Sequence, residues 1–168
     1  MSITFNADEI LQMAERIERN GARFYHLAAE NASGPARQAL LDLAKMEEDH
    51  ERTFAQMRSE LSPAERRATV FDPTGEAGLY LHAMADGYVF DIRKDPAELL
   101  RGGEPLEEIL ATAIELEKDS IVFYVQMREL VPQRLGRERI EAIIKEELGH
   151  IAQLNKRLAE ARGKGAGE

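Results

Sequence analysis

Two histidines of this chain each follow a glutamate by three residues: Glu47 with His50, and Glu147 with His150. On a helix, residues three apart share a face, so each pair would offer a carboxylate and an imidazole together. Carboxylate and imidazole are the ligands of iron, manganese and zinc, and metal binding is the chemistry these residues could do. A glutamate three before a histidine is common in a chain with this much glutamate. The weight lies in what accompanies the two pairs.

Two more glutamates stand where solvent is not expected. Glu18 lies on the stripe of Leu11, Ala14 and Tyr25, and Glu117 on that of Leu110, Ala113, Ile121 and Tyr124. Glu47 shares its face with Leu40, Leu43 and Phe54, and Glu147 with Ile140, Ile143, Ile151 and Leu154. These neighbours are four or seven positions away, hence on the same side of a helix. Each of four helices would therefore turn one carboxylate into the core, where it costs free energy unless compensated. The compensation could be Lys or Arg partners. The favoured reading is two dications, which cancel four negative charges while the imidazoles complete the coordination.

Composition narrows the alternatives. The chain has 168 residues, a single domain's worth, and carries a formal charge of -9, which disfavours nucleic-acid backbones and anionic membranes. It has no cysteine, so disulfides, thiolate catalysis and sulfur-ligated iron are excluded. No run is apolar for long enough to cross a bilayer, and the opening Met1–Phe5 segment reads as no secretory signal. The expected compartment is cytoplasmic.

Glycine and proline mark out the elements that must carry the six residues. Asn6 and Glu9 form a capping-box pattern at the start of a helix running to about Ala32. Ser33-Gly34-Pro35 breaks it, and a second helix is expected to reach Leu61. Gly102-Gly103 precede a third, with Pro105 in its first turn, where no amide donor is needed. Pro132 ends that helix, a fourth runs to about Arg162, and the Gly163–Glu168 tail is expected to fray. The organisation is one domain, 1–168, made of hairpins 7–61 and 104–162 and a crossover, 62–103. So long a connection is expected to return the chain along the bundle, leaving helices two and three parallel. Leu81, Met84 and Tyr88 are spaced for a short amphipathic helix within it, facing the bundle or a second subunit.

The hairpins repeat one another. Ile17-Glu18-Arg19-Asn20-Gly21 with Phe24-Tyr25 returns as Leu116-Glu117-Lys118-Asp119-Ser120 with Phe123-Tyr124, and Glu47–His50 returns as Glu147–His150. Each glutamate stands about 15 residues from its hairpin's break, so at about 1.5 Å per residue the four come level within roughly 2 Å. Tyr25 and Tyr124, two turns beyond Glu18 and Glu117, read either as core aromatics or as groups that hydrogen-bond a ligand carboxylate or carry an electron. Glu15 could be a spare ligand. His26 and His82 match no ligand pattern, and Glu48, Glu51, Glu141 and Glu146 read as solvated faces.

With these residues the chain resembles the rubrerythrin branch of the ferritin-like superfamily. The phrases Glu117–Tyr124 and Ala85-Asp86-Gly87-Tyr88-Val89-Phe90 carry the likeness beside the ligand motifs. The resemblance implies an all-α, ferritin-like four-helix bundle, a di-iron centre and a homodimer. Glu47 and Glu147, or Glu18 and Glu117, would include the bridging ligands. Three departures stand out. There is no cysteine for a rubredoxin-like electron-feeding domain. Ser120 occupies a position where rubrerythrins carry an additional glutamate, and His150 follows Glu147 by three residues rather than four. The symmetric set is closer to a bacterioferritin-type ferroxidase centre.

Three functions are therefore expected in order. The first is an oxidoreductase holding two Fe ions (Mn or Zn suit the same ligands) that reduces hydrogen peroxide or dioxygen with electrons from an external donor. The second is a ferroxidase or iron-handling protein. The third is a non-catalytic module that a metal merely staples.

Overall fold

Asn6 begins the first helix as the capping pattern requires. Its side chain accepts from the Glu9 amide at 2.9 Å, and the Glu9 carboxylate accepts from the Asn6 amide at 2.9 Å. The computed structural model describes residues 5–67, 79, 98–101 and 103–165. They form helices α1 (Ala7–Glu30), α2 (Gly34–Ser59), α3 (Leu106–Leu130) and α4 (Arg137–Gly165), with no strand among the described residues. A 3-10 turn, Gln133–Leu135, sits in the second hairpin.

The boundaries differ slightly from expectation, each time for a local reason. α2 stops at Ser59, and Leu61 lies beyond it, buried against the bundle. Pro105 stands at the N-cap of α3 with ψ 155, one residue before the helix rather than in its first turn. α4 continues past Arg162 to Gly165, so the expected fraying does not begin at Gly163. Residues 166–168 and the expected crossover helix with Leu81, Met84 and Tyr88 lie outside the described residues, as does His82.

α1 packs along α2 and α3 along α4; the hairpins meet through α2 against α3 and α1 against α4. Directions follow from individual contacts. The rings of His50 and His150 touch, while Asp42, eight residues before His50, pairs with Arg157, seven after His150, at 3.3 Å. Those helices, α2 and α4, are thus antiparallel. Since α3 and α4 also run opposite ways, α2 and α3 are parallel, as the long connection requires. The Phe5 amide donates to the Leu130 carbonyl at 3.0 Å, tying the start of α1 to the end of α3.

The core is continuous through both hairpins. It includes Ile10, Leu11, Ile17, Leu40, Leu43, Phe54, Leu110, Phe123, Ile140 and Ile143, all effectively buried. Phe54 of α2 and Tyr124 of α3 meet edge to face at 6.4 Å, a contact between hairpins worth roughly 1 kcal/mol beyond its area. No described helix is long and apolar enough to cross a membrane.

Gly136, which follows the 3-10 turn, shows what the second hairpin demands. Its φ is 95°, and a Cβ built there would lie 2.6 Å from that of Ala7. Gly136→Ala is expected to cost about 1–3 kcal/mol of unfolding free energy, from left-handed strain plus the clash. Gly149→Ala, where a Cβ meets nothing within 4 Å, should be neutral or stabilise by up to about 1 kcal/mol. Urea midpoints of the metal-free variants check both; equal midpoints would remove the hairpin constraint.

Candidate metal centre

The four stripes place their glutamates as the spacing predicts. Glu18, Glu47, Glu117 and Glu147 are 2%, 2%, 5% and 0% exposed, among the most buried charged side chains described. They converge with both histidines at mid-bundle. The ligand atoms of His50, Glu117, Glu147 and His150 all lie within 4.8 Å of one another, and so do those of Glu18, Glu47 and His50. All six expected residues are thus brought together.

The two imidazoles sit at the centre. His50 Nδ1 is 3.0 Å from Glu18 Oε2, 3.7 Å from Glu47 Oε2 and 3.8 Å from Glu147 Oε2. His50 Nε2 lies 2.7 Å from His150 Nε2, and His150 Nδ1 faces Glu147 Oε2 at 3.9 Å. His150 is the ligand nearest solvent, its side chain 15% exposed against 5% for His50.

No Lys or Arg ion pair reaches any of the four glutamates among the described residues, so no described basic side chain supplies the compensation. The charge is instead managed by protons. Burial, with Glu117 adding to it, pushes Glu47 up to about 8. Burial, with Glu47 adding to it, pushes Glu147 up to about 8. Burial and then the nearby Glu147 carboxylate raise both Glu18 and Glu117 well above the usual range. Burial and then His150 lower His50 to about 3, and burial lowers His150 as well, so both rings are neutral at physiological pH.

Four buried atoms here have no hydrogen-bond partner: Glu117 Oε1, both oxygens of Glu147 and His150 Nδ1. Orphaned buried acceptors are rare and costly in a folded protein. A donor set of four carboxylates and two neutral imidazoles suits a pair of divalent cations, which would neutralise the carboxylates and engage those atoms. The residues therefore fit a two-metal site, Glu18 and Glu47 with His50 on one side, Glu117 and Glu147 with His150 on the other.

The surrounding residues divide clearly. The Tyr124 hydroxyl donates to Glu18 Oε1 at 3.3 Å across the bundle, tying the second hairpin to a carboxylate of the first. Tyr25 is also fully buried and is raised by burial and by Glu47, Glu117 and Glu18, so it too adjoins the carboxylates. Ser120 is buried but donates back to the Leu116 carbonyl at 3.3 Å. Its counterpart in the repeat, Gly21, is also buried. Glu15 is engaged by Arg58 at 3.4 Å and is no spare ligand. His26 pairs with Glu48 on the surface at 3.0 Å. Phe54, anticipated only as a core neighbour of Glu47, also flanks His50, its ring 5.9 Å away; its place four residues after His50 is the signal that could have shown this.

These protonation states set a pH dependence. Glu47 and Glu147 hold protons to about pH 8 when folded but ionise near the ordinary carboxyl value of 4.5 when unfolded. Their contribution is full below about pH 4.5 and is lost as pH rises through about 8. The histidines act in the opposite sense, because the unfolded rings take up protons below about pH 6.5 and the buried ones do not. Between pH 6.5 and 8 only the carboxyl effect operates. The Tm of metal-free protein is expected to fall over that interval, and saturating divalent metal to abolish the fall, as read by calorimetry. A flat metal-free profile would contradict the buried-carboxyl account.

Comparison with known proteins agrees with this geometry. The rubrerythrin family model matches residues 9–83, which span α1, α2 and three of the six ligands. A Thermotoga maritima crystal structure, described as a candidate ferritin-like diiron-carboxylate protein, superposes with a TM-score of 0.56. It is 26% identical, and the match covers 96% of this chain and 99% of that one. No curated protein matches. Residues 9–83 are thus similar to rubrerythrins, and the described helices form a four-helix bundle of the ferritin-like fold.

Proposed function

We propose that this protein is a di-iron oxidoreductase that reduces hydrogen peroxide or dioxygen. The observation that carries the reading is the convergence of four buried glutamates and two neutral histidines, four of their polar atoms unpartnered and none of the carboxylates paired with a Lys or Arg among the described residues. The rubrerythrin match and the diiron-carboxylate description of the Thermotoga relative support iron as the metal. Ferrous ions held as a pair supply two electrons, the number that takes hydrogen peroxide to water or dioxygen to hydrogen peroxide.

The chain's own residues do the rest. The glutamates hold the pair close and lose their protons as it binds, so the interior stays near neutral. Phe54, Tyr25 and Tyr124 wall the site from water, which strengthens every charge interaction inside. Tyr124 holds a hydroxyl proton at Glu18 Oε1 and fixes that carboxylate's orientation. No cysteine is available for a sulfur-bound iron relay in this chain, so an external donor must return the electrons.

The partial exposure of His150 favours iron handling as a second reading. It is the ligand through which iron would most readily enter and leave. Stopped-flow oxidation of ferrous-loaded protein separates the two. The oxidoreductase reading expects rapid oxidation by peroxide with iron retained through repeated cycles; ferroxidase turnover with iron release would favour the second. Oxidation no faster than that of free iron by either oxidant would sink both.

Two substitutions sharpen the assignment. Glu47→Ala and Glu147→Ala should each abolish the acceleration. Tyr124→Phe should leave metal stoichiometry unchanged while slowing oxidation about 10- to 100-fold. An unchanged rate in Tyr124→Phe would return that tyrosine to a packing role.

A further inference from the structure

The internal repeat lets the outer faces of the two hairpins be compared position by position, and they differ in character. On the first hairpin Arg19 pairs with Glu51 at 2.5 Å and His26 with Glu48 at 3.0 Å, while Arg23 is exposed. The matching positions of α3 and α4 hold Lys118 and Ile151, Val125 and Leu148, and Val122. Val122, Val125 and Leu148 are 49%, 37% and 54% exposed, three of the five large apolar side chains that the described residues leave exposed. One hairpin shows solvent a set of ion pairs, and the other shows an apolar strip. Apolar surface gathered on one face marks a place where another molecule binds.

The strip adjoins a groove of about 390 Å³ between α3 and α4. Ala111, Ile114 and Lys118 line one side of it, and Asn155, Leu158 and Arg162 the other. Ala111, Lys118 and Val125 follow one another at seven-residue steps, as do Glu141, Leu148, Asn155 and Arg162. Each series therefore keeps to one face of its helix. Because α3 and α4 are antiparallel, Val122, Val125, Leu148 and Glu141 lie toward one end of this surface and the groove lies toward the other.

The two ends match when a second copy is turned over. A two-fold axis crossing α3 at Lys118, and α4 between Leu148 and Asn155, carries Val122 onto the partner's Ile114 and Val125 onto the partner's Ala111. The exposed valines then enter the groove. The same operation sets Arg162 opposite the partner's Glu141. Lys118, at the axis, is already paired with Glu115 at 2.6 Å. Charge favours this face as well. Two chains of formal charge -9 repel one another, whereas Glu115, Lys118, Glu141 and Arg162 cancel on this surface.

We propose that the outer face of α3 and α4 joins two copies of this chain, packed antiparallel about that axis, with valines in grooves and an Arg162–Glu141 pair at each end. The interface is isologous, each patch meeting its own copy, and so it closes at two chains.

Sedimentation velocity of the full chain tests this. At micromolar concentration the chain should run at twice its own mass. Val125→Lys and Leu148→Lys, at exposed positions outside the core, should each weaken the dimer at least about tenfold, with helix content unchanged by circular dichroism. Glu141→Arg and Arg162→Glu should each weaken it roughly threefold or more, and the two together should restore it. Those residues stand about 30 Å apart along α4, at about 1.5 Å per residue, so restoration can only come from pairing between copies. A monomer at micromolar concentration, a dimer unmoved by Leu148→Lys, or a double variant no tighter than the single ones would each overturn the proposal.

Discussion

Four carboxylates cannot stay ionised inside an apolar bundle unless something neutralises them. Every notable feature of this protein follows from that constraint. The described residues bring no guanidinium or ammonium to Glu18, Glu47, Glu117 or Glu147. Two means remain, protons and metal ions. Without metal, burial pushes Glu47 and Glu147 up to about 8, so protons can neutralise them. Protons leave buried acceptors unpartnered, however, and a pair of dications would engage those atoms as well as the charge. Neutralising two charges with one ion also spares the interior the repulsion between neighbouring carboxylates.

The bundle is arranged to hold this cluster level and dry. Each helix contributes one glutamate from its apolar stripe, so the site is fixed by the same side-chain packing that stabilises the fold. The parallel course of α2 and α3 matters here, because it relates the hairpins by approximate two-fold symmetry and sets Glu47–His50 opposite Glu147–His150. Cross-hairpin contacts then lock the arrangement: Tyr124 to Glu18, Phe54 to Tyr124, and Asp42 to Arg157. Small buried residues at Gly21 and Ser120 follow the glutamates of α1 and α3 by three positions. Ser120 satisfies itself on its own helix and adds no charge to the cluster.

Much of this was legible in the sequence because helical periodicity maps directly onto burial. Glu18 among Leu11, Ala14 and Tyr25 could only face inward once that stretch was helical, and the same holds for the other three. Glycine and proline located the breaks, and counting residues from them gave the common height of the six ligands. What escaped was of two kinds. Helix ends shifted by a residue or more at Ser59, Pro105 and Gly165, where capping and packing outweigh composition. Side-chain contacts between helices were hidden too. The 2.7 Å approach of the two imidazoles and the engagement of Glu15 by Arg58 depend on side-chain conformations across helices, and linear spacing does not encode those.

The central claim is that the buried cluster exists to hold two metal ions. An anaerobic Fe(II) titration of metal-free protein tests it most directly, with bound iron counted after removal of the free metal. Saturation at two irons per chain is the predicted result. Saturation at one, or weak binding without an end point, would contradict it and leave the four glutamates as a protonated core feature of a helical interaction module.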